Sequence, residues 1–310
     1  MRAWMAALVL LVVSTQSYTQ SCCCTGAGAN YSILPNLNRH VIGLRYSYRS
    51  FYSEQHSLNP ELDGRITEQQ SQTVELFGRF NLTQRLQLSV FMPYSFLQQQ
   101  TGPSLTNNNG LGDLSFLLQY QLINPLLCTG QETKHQLRLG AGTKLPSGAF
   151  AMDKNKMFMT NLQLGTGSVD FVFNTIYTLR YKSLGFNASG TYRLNTANPQ
   201  QYRFGDRTQA SANLFYLFEV KDVSLMPSIG CNYEYQFQNR LNRKVLAYTG
   251  GHFLNTSVGI DIYYKAFAFS SAFTPALMNR LNWYGENKNK FNFEAGVFYN
   301  FSTTKKSIKQ

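Results

Sequence analysis

The chain has 310 residues, of which 43% are hydrophobic, 14% aromatic and only 14% charged, with a formal charge of +12. Soluble domains carry roughly a quarter charged residues, so an ordinary water-facing surface is poorly supplied. The basic residues are spread along the whole chain without a patch or a groove-binding motif, and no nucleic-acid partner is expected.

Residues 1–20 combine one early positive charge, Arg2, with an apolar run from Ala6 to Val13 and then small and polar residues. That is the layout of a secretory signal peptide, and the run is too short for a membrane helix. Residues 21–40 form an expected periplasmic segment containing Cys22, Cys23 and Cys24.

From residue 41 the sequence alternates with period two. Predicted strands run over 41–51, 73–82, 86–97, 113–123, 134–145, 168–178, 184–194, 207–218, 223–237, 253–263, 266–275 and 290–301. Each is close to the roughly 9–11 residues that a tilted spanning strand needs. In the first, Ile42, Leu44, Tyr46 and Tyr48 share one face; in the second, Val74, Leu76, Phe80 and Leu82 do. In the third, Leu86, Leu88, Val90, Met92, Tyr94 and Phe96 share a face, and Pro93 on the other predicts a bulge. Long polar stretches at 52–72, 98–112, 146–160, 196–206, 238–252 and 277–289 alternate with mostly shorter links. Short periplasmic turns and long outer loops produce that alternation, with both termini in the periplasm. Residues 302–310 are a basic tail.

Fifteen charged residues fall inside these strands, all in the same phase: Arg45, Arg49, Glu75, Arg79, Asp113, Lys134, Arg138, Lys144, Asp170, Arg193, Arg207, Glu234, Asp261, Lys290 and Glu294. Successive strand side chains point to opposite faces, so one face is apolar and one wet throughout. A Lys or Arg facing lipid at mid-membrane costs about 2–4 kcal/mol. The charged face therefore lines a lumen and the apolar face meets lipid. The expected fold is all-β: a transmembrane, antiparallel, up-and-down β-barrel of about twelve strands in the bacterial outer membrane. A mean hydropathy of -0.26 does not contradict this, because a barrel places its apolar residues at every second position. A soluble β-sandwich would alternate too, but its outer surface would need more charge.

Cysteine and histidine give little chemistry. Three adjacent cysteines make no disulfide framework; Cys22, Cys23 and Cys24 are candidate soft-metal thiolates, but no His or Cys partner stands at a metal-site spacing. Cys128 and Cys231 stand alone, and the four histidines, His40, His56, His135 and His252, form no metal motif. No nucleophile elbow or P-loop is present. The chain is not expected to be an enzyme or to carry a cofactor; a hydrolase using His252 or His56 is the remote alternative.

Four short patterns have a familiar order and spacing. Gly110-Leu-Gly112-Asp113-Leu114 precedes the fourth strand, and Lys144-Leu-Pro-Ser-Gly148 leaves the fifth. Leu164-Gly-Thr-Gly-Ser-Val-Asp170 enters the sixth, and Tyr202-Arg-Phe-Gly205 precedes the eighth. Together, over roughly residues 74–301, they resemble the bacterial outer-membrane transporter family named for the MetA pathway of phenol degradation. That resemblance implies a monomeric barrel taking up small, aromatic or hydrophobic molecules. From the residues themselves, the glycines are expected to serve turns and bulges at the rim. Asp113 and Asp170 are expected at similar heights beside basic partners such as Arg138 and Arg193, as wall-holding salt bridges or as a filter.

The expectation is a porin-like outer-membrane barrel, resident in lipid and lipopolysaccharide, through which a small solute diffuses passively. Arg45, Glu75, Arg79, Asp113, Arg138, Asp170, Arg193, Glu234, Asp261 and Glu294 are its candidate lumen-lining or constriction residues. Nine inward basic residues against six acidic ones predict a mild anion preference. The competing reading is a metal-handling barrel using the cysteine cluster.

Overall fold

The computed structural model describes residues 39–55, 65–123, 132–151, 162–246, 249–280 and 285–302. The signal segment, Cys22–Cys24, His56, Cys128 and the tail beyond 302 lie outside the described residues. The strands, in chain order, are β1 (His40–Gln55), β2 (Arg65–Asn81), β3 (Leu86–Thr101), β4 (Ser104–Leu111), β5 (Ser115–Ile123) and β6 (Thr133–Lys144). Then come β7 (Asp170–Tyr181), β8 (Leu184–Leu194), β9 (Tyr202–Arg203), β10 (Arg207–Tyr216), β11 (Phe218–Val220) and β12 (Val223–Gln236). Finally there are β13 (Arg240–Leu241), β14 (Lys244–Val245), β15 (Gly251–Tyr264), β16 (Phe267–Arg280) and β17 (Gly285–Phe301).

Twelve of them close a barrel. Pairing runs β10-β8-β7-β6-β5-β3-β2-β1-β17-β16-β15-β12, and β12 returns to β10. All of these pairs are antiparallel, and the first and last strands are joined from His40↔Phe301 to Gln55↔Gly285. No edge is left among the twelve, as a membrane requires of any β-structure. β4 continues a hairpin with β3 beyond the barrel, and β9, β13 and β14 make a small three-stranded sheet in the connections after β8 and β12.

The outward face is greasy all round. Leu44, Leu118, Phe173, Leu214, Ile229, Val258 and Val297 are among its exposed residues. A contiguous apolar surface of this extent would be insoluble and belongs in lipid. The chain is a transmembrane barrel of the bacterial outer membrane. Aromatic rings band its turn-side end: Tyr216 packs on Phe218 at 4.5 Å, Phe267 on Tyr299 at 5.3 Å, and His40 on Phe301 at 5.2 Å. Lys182 and Lys265, in two tight turns, lie 5.3 and 5.0 Å from the rings of Tyr181 and Tyr264, which places rings and ammonium groups at the interface.

Several strands run longer than the pattern suggested. β2 and β17 each have 17 residues, so the outer ends project past the bilayer. This projection explains one departure from the alternation. A bulge sets Ser50 opposite Phe291 but Phe51 opposite Asn289, leaving Lys290 as the extra residue. Lys290 therefore turns outward, 5.7 Å from the Tyr52 ring and 2.9 Å from Glu68. The other fourteen charges keep the inward phase, with Lys134 at the exposed periplasmic rim.

Pro93 faces inward as expected, but β3 itself stays in regular register with β2, Glu75 opposite Pro93. The irregularity lies on the other neighbour. Tyr94 pairs with Leu111 and Phe91 with Ser115, so β4 and β5 fit an extra residue opposite Pro93. Gly112 N donates to the Pro93 carbonyl at 2.8 Å. Proline has no N–H to offer its neighbour, and the kink goes where the ladder is weakest.

Candidate functional site

The inward face is not uniformly wet. At the periplasmic end it carries Val41, Phe77, Phe91, Phe215, Met226, Tyr263, Ala268 and Phe298, all buried and forming one cluster. Phe77 packs on Phe91 at 5.3 Å and edge-on to Phe298 at 6.0 Å. Inward glycines make room for these rings. A Cβ on Gly43 would lie 2.5 Å from the Phe298 ring, and one on Gly185 only 2.0 Å from that of Phe215. Sequence reasoning missed this floor because it scored inward positions by charge. The available signal was the set of inward Phe residues facing inward Gly on neighbouring strands. Arg79 and Arg138 sit at the same level, with Arg79 inside the electrostatic reach of Tyr263 across the lumen and of Arg138. Arg138 Nη1 donates to Gln87 Oε1 at 3.2 Å.

Above the floor the lumen is polar. Arg45 and Glu75 are opposite each other on β1 and β2 and form an ion pair. Arg207 and Glu234 pair at 3.6 Å, and Gln209 donates to the same carboxylate at 2.8 Å. An open cavity occupies the extracellular half, bounded by β1, β8, β10, β12 and β15–β17.

At the extracellular rim lies the densest polar cluster. Asp113, Lys144 and Asp170 have side chains only 6%, 5% and 0% exposed. Lys144 faces Ser115 on one side and Asp170 on the other; its ammonium contacts Asp113 and lies 2.7 Å from Asp170. Gly148 N and Thr166 N donate to Asp113 at 3.0 and 2.9 Å. Ser168 Oγ and Thr196 N donate to Asp170 at 2.8 and 2.9 Å. Both carboxylates thus have charge and hydrogen-bond partners, as burial of an ion cluster demands. Gly165 is needed for close approach: a Cβ there would be 2.4 Å from the Asp113 carboxylate and 2.6 Å from the Gly148 carbonyl. Gly167 has φ of 68°, a conformation natural to glycine.

The four sequence patterns converge here. Ser147 Oγ accepts from Leu114 N and donates to the Gly112 carbonyl, joining the first two. Asn198 Nδ2 donates to the Thr166 carbonyl and its Oδ1 accepts from Tyr202 N, joining the third to the fourth. Tyr202 and Phe204 are buried together against Phe150, Leu241 and Leu246. Asn239, fully buried, donates to Tyr202 Oη and accepts from Gly205 N, each at 2.8 Å.

One expectation needs correction. The basic partner of Asp113 and Asp170 is Lys144, not Arg138 or Arg193. Arg138 is six residues from Lys144 along β6, roughly 20 Å at the rise of a strand, and belongs to the floor. Arg193 stands beside Arg207 in the register of β8 and β10. The ten candidate lining residues stand at several heights. Asp113, Asp170 and Arg193 are near the rim, Glu234 and Glu294 border the cavity, Arg45 and Glu75 lie below, and Arg79, Arg138 and Asp261 are near the floor. Of the histidines, His135 contacts Tyr177 Oη at 2.7 Å on the exposed face, and His252 packs against outward Tyr233 at 6.1 Å. Cys231 is free and exposed. Among the described residues no group of His, Cys, Asp or Glu could hold a metal ion.

The model of the family described as "Putative MetA-pathway of phenol degradation" matches residues 47–303. The chain belongs to this family. No curated protein matches the sequence. Among solved structures, an outer membrane channel from Pseudomonas putida F1 superposes with a TM-score of 0.60 at 17% identity, over 89% of this chain and 100% of its own. That likeness extends to the fold. More distant barrels are the beta domain of the Bordetella autotransporter BrkA (TM-score 0.44, 9% identity, 85% and 100% covered) and a Pseudomonas aeruginosa FadL homologue (0.41, 8%, 85% and 91%). The residues that carry the family likeness at the rim pin the outer connections to the barrel wall. They say little about the solute, because their polar groups are spent on one another.

Proposed function

We propose that this barrel is a porin-like transporter that lets small polar solutes diffuse across the outer membrane, through a polar outer vestibule and a narrow aromatic floor. The observation that carries the reading is the division of the inward face: ion pairs, amides and hydroxyls above, a packed cluster around Phe77, Phe91 and Phe298 below. Hydrophobic constrictions gate by excluding water until they part. Arg45, Glu75, Arg79, Asp113, Arg138, Asp170, Arg193, Glu234, Asp261 and Glu294 line the path as successive levels, not as one ring. With Lys290 turned outward, eight inward basic residues still exceed six acidic ones, which supports a weak anion preference.

Residues 1–20 direct export, the segment to residue 40 stays in the periplasm, and the barrel works as a monomer that meets lipopolysaccharide on its outer rim. Planar-bilayer recording tests the core of it. Small, weakly anion-selective steps are expected, whereas a silent membrane with folded protein removes the channel reading. An aromatic solute is the second reading, supported by the Phe-lined floor and the family description; phenol that lowers ion current from the periplasmic side would favour it. A metal-handling role for Cys22, Cys23 and Cys24 predicts metal in purified protein that disappears on triple Ser substitution. A hydrolase role for His252 is opposed by its outward position.

A further inference from the structure

We infer that the extracellular half of the lumen holds a binding site for neutral polyhydroxylated solutes: monosaccharides, small oligosaccharides or polyols. The inference deepens the channel reading by naming the solute class, and it rests on a cavity walled by barrel strands.

Charge at this cavity balances. Arg49 and Glu294 both line it; among the described residues neither has an ion-pair or hydrogen-bond partner, and each offsets the other. Glu234, also on the wall, is neutralised by Arg207 at 3.6 Å. A solute with net charge gains little from such a site. A neutral solute that accepts from a guanidinium and donates to a carboxylate gains from both.

Hydrogen-bonding capacity, in contrast, is in surplus. The side-chain oxygens of Asn232, Asn255 and Asn292, on three different strands of the same wall, are buried and accept no hydrogen bond from the described residues. The Nε of Arg49 is in the same state. A buried polar group without a partner is unfavourable, and a small rotation of each amide toward the lumen presents it to a donor there. A polyol carries a donor and an acceptor on nearly every carbon and can serve all of these groups at once. A phenol offers a single hydroxyl and would leave most unserved, a mismatch that binding sites reject strongly. Phe51 and Phe253 complete the wall and can cover the C–H face of a sugar ring.

Saturation-transfer NMR on the full barrel in detergent tests this, with glucose, sucrose and sorbitol as probes and phenol and glycine as controls. Transfer to the sugars or sorbitol is expected, weakened about tenfold in the N232A/N255A/N292A variant. E294Q provides a milder variant should the triple one fail to fold, with a several-fold loss expected. No transfer to any polyol, unchanged transfer in the folded variants, or preferential transfer to phenol or glycine overturns the site. Bilayer recording of the same preparation separates the two readings: ion current without polyol transfer rejects the site alone, and polyol transfer without current rejects the channel alone.

Discussion

Removing the Lys144 ammonium should unfasten the rim without unfolding the barrel. The group is in contact with two carboxylates on the segments either side of its own strand, and all three side chains are at most 6% exposed. Deleting one partner of a buried ion pair costs about 3–5 kcal/mol, because the remaining charge is stranded. Here two carboxylates would be stranded together. Each, however, keeps further donors, among them Gly148 N and Thr166 N for Asp113 and Ser168 Oγ and Thr196 N for Asp170. Lys144→Met is therefore expected near the lower end, about 3 kcal/mol, or roughly a hundredfold in the local opening equilibrium. Hydrogen exchange in detergent micelles reads this directly at the Gly148, Thr166 and Thr196 amides, while amides in β1 and β2 stay protected. The D113N/K144M/D170N variant removes all three charges and should recover most of the loss, since an uncharged network leaves no stranded ion. Exchange at Thr166 that changes less than threefold in K144M would refute the reasoning, as would equal acceleration around the whole barrel.

Other outcomes follow from single contacts. Gly165→Ala should destabilise the same connection by about 1–3 kcal/mol through overpacking, since its Cβ would meet the Asp113 carboxylate at 2.4 Å; limited proteolysis between residues 145 and 169 should quicken. Phe298→Ala should raise single-channel conductance by opening the floor and lower stability by about 3–5 kcal/mol; unchanged conductance would show that the floor does not limit flow. Lys221 has φ of 54°, a left-handed conformation that costs a non-glycine residue about 1–2 kcal/mol. Because glycine loses more chain entropy on folding, Lys221→Gly should stabilise the barrel by about 0.5–1 kcal/mol in a urea titration, and a loss of stability would count against strain at that turn.

How much of this could be read from residues alone depended on which interaction set each feature. Alternation fixed the wall, because a one-residue slip moves every side chain to the other face; Leu184–Leu194 was bounded as it stands, and the strand count was right. The ends were harder. Outer strand extensions such as residues 67–72 are polar on both faces and carry no period-two signal. Lys290 escaped its phase because a bulge depends on pairing with β1, which no local pattern reveals. The rim glycines marked the right places for partly the wrong reason: Gly165 serves close packing against Asp113 as much as any turn. Choosing Arg138 over Lys144 as the aspartate partner ignored height along the strand. The inward aromatics were overlooked because a lumen was assumed wet, although Phe91 alternates in phase with Ser89 and Ser95 in the sequence itself.

Lipid meets one face of each barrel strand, and the enclosed interior meets the other. Spin labels placed singly at Leu88, Gln87, Leu118 and Gln119, in a background with Cys→Ser at native cysteines, test it by accessibility to oxygen and to a water-soluble nickel chelate in liposomes. The account predicts high oxygen and low chelate accessibility at Leu88 and Leu118, with no such lipid signature at Gln87 and Gln119. Chelate reaching Leu88 and Leu118 as readily as free solution would contradict it.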